Sequence, residues 1–317
     1  MLNLGKELEQ EYGTHRAGWA YAVSCLGDYH DEHGPDFISF LEKKFVFGSD
    51  VGDFSNQFSQ PDRPWVGVVH CPVQVPIWFN RHYSPEVYFK TEAFVKAQEL
   101  CAGLISLSTP LTAWLHENVD VPITTLLHPT EACEKQFDEA MLLEDKPLKV
   151  VQLGFWLRKL HAIHQLKLSS TDFKKFTVGS SRPHQSRVIN IEKNIFNVKP
   201  ETVRDVKQVG FLDNTEYDNL LAESVVFVDF YDTSANNAII ECVVRGTPVI
   251  CPPLKAIVDY LGPQYPLYFR DKDEAEEILK DRDRLIKGSR YLKYSGIASK
   301  LSLEQFKSDF ANINYKG

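Results

Sequence analysis

A chain of 317 residues is long for one hydrophobic core and comfortable for two domains of ordinary size. Its hydrophobic share of 43% and charged share of 25% belong to a folded globular protein and exclude a disordered one. With 35 basic against 43 acidic side chains the net charge is −8, which excludes nucleic-acid binding by backbone neutralisation and makes anionic membranes poor partners. The opening MLNLGKELEQEYG is too polar for a signal peptide, and little before Thr14 reads as a strand. Either the first domain is abridged or the chain is one segment of a longer polypeptide or complex. Residues 14–26 read as a loop opening into a helix, and PWVGVVH (64–70) as a buried strand running into the proline-rich loop CPVQVPIWF. TEAFVKAQELC (91–101) has helical spacing at Phe94, Ala97 and Cys101. GLISLS (103–108) reads as a strand, TPLTAWLHE (109–117) as a helix with Thr109 as cap and Pro110 in its first turn, and VPITTLLHPTE (121–131) as a strand. Residues 132–147 lack a strand and are read as the connection between domains.

The rhythm restarts with LKVVQLGFW (148–156) as a strand and RKLHAIHQL (158–166) as a helix. FKKFTVG (173–179), SRVINI (186–191) and VKQVGFL (206–212) are strand candidates. EYDNLLAES is read as a helix, VVFVDFY as a strand, ANNAIIECVVRG as a helix, TPVICPP as a strand and AIVDYLG as a helix. Residues 273–292 and 302–310 close the chain as helices. Two successive βα runs predict an α/β protein with two doubly wound Rossmann-like domains facing across a cleft, residues 1–145 and 146–317, the second carrying the terminal helices. No apolar stretch reaches transmembrane length. Cys25, Cys71, Cys101, Cys133, Cys242 and Cys251 are scattered without a CxxC pair, so a reducing, cytoplasmic setting is expected.

The most informative stretch is 209–262. The strand VVFVDF ends in the small-residue loop Asp232-Thr233-Ser234-Ala235-Asn236-Asn237, which opens an apolar helix stopped by Arg245-Gly246-Thr247-Pro248. Unpaired N–H groups at such a helix start make an anion site. Glu241 is the one charged side chain between Asn237 and Arg245, and a carboxylate in a buried helix needs a partner such as a ribose hydroxyl pair. Nearer the middle of the chain, Gly154 closes a strand and is followed by Arg158 and Lys159, two cations of the kind a diphosphate gathers. If they lie on a helix they diverge by about 100°, so both need not reach one ligand.

These segments resemble the donor-binding half of GT-B glycosyltransferases, particularly the retaining group marked by two glutamates with seven residues between them. Glu241, followed by Gly246-Thr247-Pro248-Val249, matches the second glutamate, which in that group holds the donor ribose. Thr233 stands where the first would be, with Asp232 or Ser234 as stand-ins, and the stereochemical outcome does not carry over. The resemblance implies a metal-independent hexosyl- or deoxyhexosyl-transferase with no cofactor, a nucleotide sugar as co-substrate and a glycan or other hydroxyl acceptor. Its implied donor residues are Gly154, Arg158, Lys159, Phe211, Thr233, Ser234, Asn236, Asn237 and Glu241, with His70, Arg158 and Asp232 as catalytic candidates. In the first half Thr14-His15-Arg16-Ala17-Gly18-Trp19 resembles the loop facing the acceptor, so His15, Arg16, Gly18 and the strand-end His128 are acceptor-side candidates. His70 and His128 read equally well as hydrogen-bonded strand-end imidazoles. A GT-B nucleotide-sugar epimerase and a catalytically degenerate glycan- or partner-binding module stay open as alternatives. Asp271-Lys272-Asp273 imitates a metal motif but opens a helix, where aspartates cap. Asp281-Arg282-Asp283 is read as a solvated helical face, and His30-Asp31-Glu32-His33 as a loop without a second ligand cluster.

Overall fold

Strands run in parallel in two separate sheets. The computed structural model describes residues 1–8, 18–46, 60–179 and 183–316. The first sheet holds β1 (Asp36–Ile38), β2 (Trp65–Val69), β3 (Cys101–Ser106) and β4 (Ile123–Thr125) in that order. Every residue of β2 and β3 is buried, as expected of strands covered on both faces. Val66 and Val68 point into one core with Trp19, Phe306 and Phe310, while Trp65 and Val69 point into the other with Leu41, Tyr88 and Phe94. Trp65 pairs with Cys101 and Val66 already with Gly103, so Ala102 is the extra residue of a bulge that shifts the alternation of β3 by one. Gly67 is required on the Trp65 face, because a Cβ there would come within 2.6 Å of Leu41 and 2.8 Å of the Trp65 ring.

The second sheet holds β5 (Leu148–Leu153), β6 (Phe173–Val178), β7 (Val206–Val209), β8 (Val225–Phe227) and β9 (Val249–Ile250), ordered β7-β6-β5-β8-β9 and parallel throughout. The order reverses beside β5, which places the topological switch at the carboxyl ends of β5 and β8, where doubly wound sheets bind ligands. No described helix is long and apolar enough to cross a membrane.

Contacts divide the chain into Met1–Glu131 with Asp232–Asn237 and Ser299–Gly317, and Ala132–Tyr231 with Ala238–Ala298. That division differs from a single boundary near residue 145. The last helix, Leu303–Ala311, buries Phe306 and Phe310 in the core of the first unit. The loop Asp232–Asn237 is also assigned to the first unit.

Three local expectations are corrected. SRVINI is not a strand but the middle of the helix Pro183–Ile195, where Val188 and Glu192, four residues apart, are both fully buried. RKLHAIHQL forms only the short helix Ala162–Gln165, leaving Arg158 and Lys159 outside it. Ser108, not Thr109, is the residue preceding the helix Thr109–Asn118, with Pro110 in its first turn as expected.

Candidate functional site

Where β5 ends, the chain turns at Gly154 with φ +75°, a conformation only glycine adopts readily. The glycine meets a second need. A Cβ there would lie 3.0–3.1 Å from the guanidinium of Arg158. The following segment is a turn rather than a helix, with Arg158 N donating to Phe155 O at 3.2 Å. Leu157 sits at φ +58°, its carbonyl accepts from Tyr231 N at 3.0 Å, Arg158 bridges to Phe230, and Lys159 N donates to Asp229 O at 2.8 Å. The two cations part company. Arg158 folds back over Gly154, donates to Trp156 O at 2.7 Å and lies 5.8 Å from the centre of the Phe230 ring. Lys159 instead pairs with the Asp229 carboxylate at 3.0 Å. Burial pulls the Arg158 guanidinium down to about 10 while the charges of Tyr217 and Glu241 oppose the shift, so it remains a cation at neutral pH.

Glu192 anchors this segment, and sequence reasoning missed it. Fully buried, its carboxylate accepts from His161 N at 2.9 Å and from the Tyr231 hydroxyl at 3.1 Å, with His161 Nδ1 at 3.0 Å. His161 stacks on Phe196. The available signal was a lone acid on the apolar side of RVINIEKNIF.

Glu241 is buried in the helix Asn237–Arg245, which ends at Gly246 with φ +65° as the RGTP sequence demands. Its partner within the chain is one that sequence reasoning did not single out: the Tyr217 hydroxyl donates to Glu241 Oε2 at 2.5 Å. Tyr217 lies on the helix Asn214–Ala222, whose start is closed by a reciprocal Asp213–Glu216 capping box. The structure therefore sets Arg158 against Gly154 and pairs Glu241 with Tyr217. It leaves Lys159 neutralised by Asp229. Phe211, just beyond β7, is 80% exposed.

In the first unit Trp19 is the centre of a ring cluster, with His70 at 4.7 Å, His128 at 5.3 Å and Phe306 at 6.4 Å between centroids. His70 Nε2 lies 2.8 Å from Ser39 O and His128 Nδ1 lies 2.7 Å from Pro129 O. A carbonyl only accepts, so those nitrogens carry the protons. Burial pushes His70 down to about 3 and His128 to about 4, and both are neutral imidazoles at neutral pH. The indole N–H of Trp19 has no partner among the described residues. The backbone after β2 is held by Glu42, whose Oε1 accepts from His70 N at 2.9 Å and Cys71 N at 2.7 Å. Gly18 precedes the helix Trp19–Ser24 in ordinary extended conformation, while His15 and Arg16 lie outside the described residues.

The loop Asp232–Asn237 is likewise braced from within. Asp232 accepts from Gln74 N at 2.9 Å and Thr233 N at 2.8 Å, and burial nonetheless raises its pKa. Thr233, Ser234 and Asn236 are buried, and the hydroxyls of Ser234 and Ser108 lie 3.3 Å apart. Of the three metal-like motifs, Asp271 and Asp281 each cap a helix, and His30 Nδ1 accepts from Leu4 N at 3.0 Å. Asp281 thus separates two helices instead of lying within one charged face. Among the described residues no group of three His, Cys, Asp or Glu side chains is placed to hold a metal ion.

No family model matches the chain, and no curated protein does. Solved structures do. HepE from Anabaena, in complex with UDP-glucose, superposes with a TM-score of 0.58 over 78% of this chain and 71% of its own, at 12% identity. Sucrose-phosphate synthase from Thermosynechococcus elongatus gives 0.62 over 92% and 76%, at 15% identity. TarM gives 0.60 over 93% of this chain and 57% of its own, at 14% identity. All three are GT-B glycosyltransferases.

The chain has the GT-B fold. At such identities the likeness carries the architecture alone, and roles must come from the residues. Arg158 follows the carboxyl end of β5, and Glu241 lies within the helix Asn237–Arg245.

Proposed function

We propose that the chain is a nucleotide-sugar-dependent glycosyltransferase whose second unit binds the donor and whose first unit binds a hydroxyl acceptor. One observation carries the reading: a cationic guanidinium is packed against the φ +75° glycine that ends β5, with the buried Glu241 carboxylate near enough to bias its charge. Few uses explain such an arrangement at a topological switch better than a nucleoside diphosphate. Arg158 meets the leaving diphosphate, and Glu241 meets the ribose. Lys159 contributes field rather than direct contact, because Asp229 holds it. In the first unit the neutral imidazole of His70 is a hydrogen-bonding group for the acceptor rather than a charged acid. HepE holds UDP-glucose, and a hexose donor is the corresponding expectation here.

The test is a thermal-shift panel of nucleotides and nucleotide sugars. A ligand present at 100 times its Kd stabilises by about 2.7 kcal/mol, a readily measured rise in melting temperature. Glu241→Gln is expected to fold, since the amide oxygen still accepts from Tyr217, and to lose about 2 kcal/mol of donor affinity. Unchanged donor affinity in this variant would make Glu241 a structural residue. Turnover is expected to survive excess EDTA, and loss on chelation with rescue by manganese would show that a metal shares the charge stabilisation. A degenerate binding module is favoured by one observation: Thr233 replaces a glutamate and Asp232 accepts two backbone N–H groups. Donor binding without transfer to any acceptor would select it.

A further inference from the structure

The contact between Tyr217 and Glu241 reaches further than a strut between two helices. We propose that Tyr217 is a positioning residue of the donor site, whose hydroxyl orients the Glu241 carboxylate toward the ribose and thereby sets the preference for ribose over deoxyribose. The inference rests on the donor-site reading above. A phenol has one O–H to donate, and it is given to Glu241 Oε2 at 2.5 Å. The Glu241 side chain has three rotatable bonds, and the phenol's donation to Oε2 favours one orientation of the carboxylate. A ribose hydroxyl recognised by a swinging carboxylate must also supply the entropy of fixing it, whereas one met by an oriented carboxylate need not.

The two helices do not depend on this bond to stay together. One residue beyond Tyr217, Asp218 pairs with Arg245 at 2.6 Å, and Arg245 donates to Glu241 O at 3.1 Å. Leu221 O accepts from the Thr247 hydroxyl at 2.9 Å. With the ion pair one residue away and a second tie one turn on, the packing of Asn214–Ala222 on Asn237–Arg245 is secured independently of the phenol. The hydroxyl is surplus to the fold. Its placement is nevertheless specific, because the hydroxyl meets the one carboxylate that the donor-site reading assigns to the ribose.

The experiment measures, by calorimetry, the binding of UDP, GDP and ADP and of their 2′- and 3′-deoxy analogues to the wild type and to Tyr217→Phe. For whichever base binds tightest, the wild type is expected to prefer the ribonucleotide over at least one deoxy analogue by about tenfold, the worth of one hydrogen bond to a charged group. In Tyr217→Phe that ratio should fall below about threefold, with the weaker analogue binding both proteins alike. In a Glu241→Gln background the same substitution should change the ratio no further, since the effect runs through the carboxylate. Retention of the full preference in Tyr217→Phe, or an equal loss for all analogues, overturns the inference and leaves the donor-site reading intact. A wild type that binds without discriminating removes Glu241 from the ribose and overturns it as well. Failure of every nucleotide to bind the wild type overturns the donor-site reading and this inference together.

Discussion

Arg158→Ala is expected to weaken nucleoside diphosphate and nucleotide sugar together and to lower turnover by at least about tenfold, or about 1.4 kcal/mol. The free nucleoside should bind almost as before, because it brings no phosphate for the guanidinium to hold. The structure sharpens this expectation by separating the two cations. Lys159 is paired with Asp229 at 3.0 Å, so Arg158 is left as the cation held directly against Gly154. A planar fork also engages two phosphate oxygens at once, which an ammonium cannot, so Arg158→Lys should recover only part of the loss. Removing the side chain takes its packing from Phe230 and its hydrogen bond from Trp156 O, so the melting temperature is read alongside. Calorimetry with nucleoside, diphosphate and sugar donor decides the matter. Equal losses for all three ligands would mean a distorted site, and no loss for any would make Arg158 a packing residue.

Glu42→Gln is expected to stabilise the protein at pH 8 by about 3 kcal/mol and to leave it nearly unchanged near pH 4.5. Glu42 is fully buried, and desolvation lifts its carboxyl to about 7 against the backbone donors of Cys71 and His70, which pull the other way. The groups facing it, Cys71 and Tyr88, are themselves pushed up by burial and stay neutral across this range. Between about pH 4.5 and pH 7 the folded chain keeps a proton that the unfolded chain has released, so stability falls as pH rises through that window and the cost is fully developed above it. His70 and His128 act in the opposite sense. Held neutral down to about 3 and about 4, they lose stability as pH drops below the ordinary histidine range, because the unfolded chain then takes up protons first. The wild type therefore has opposing slopes, and the variant should lose the Glu42 contribution while keeping that of the histidines. Urea unfolding at pH 5 and pH 8 measures this directly. A stability difference between variant and wild type that does not grow with pH would mean that Glu42 is ionised throughout. Its carboxyl also holds the backbone of His70 in place.

Several elements were legible before any coordinates. WVGVV is a continuous apolar run, and such a run bounded by loops becomes a strand buried on both faces. RGTP ends a helix because glycine reaches positive φ and proline cannot continue the turn, and Gly246 is found at +65°. The two-sheet α/β architecture followed from these local signals alone. Other features were not local. SRVINI alternates as a strand would, yet it is helical because Val188 and Glu192 are needed on one buried face, four residues apart. Arg158 and Lys159 were expected on a helix, yet their backbone follows a turn and bridges to Asp229 and Phe230. Partners were the least legible of all. Glu241 finds Tyr217 across 24 residues, His70 N finds Glu42 across 28, and Lys159 finds Asp229 across 70. The sequence by itself determined the buried strands, the helix stop at Gly246 and that a carboxylate in the helix 237–245 must be satisfied. Only the tertiary structure decided by what, because backbone preference acts over a few neighbouring residues whereas a buried charge takes whichever donor the packing of distant elements brings within reach.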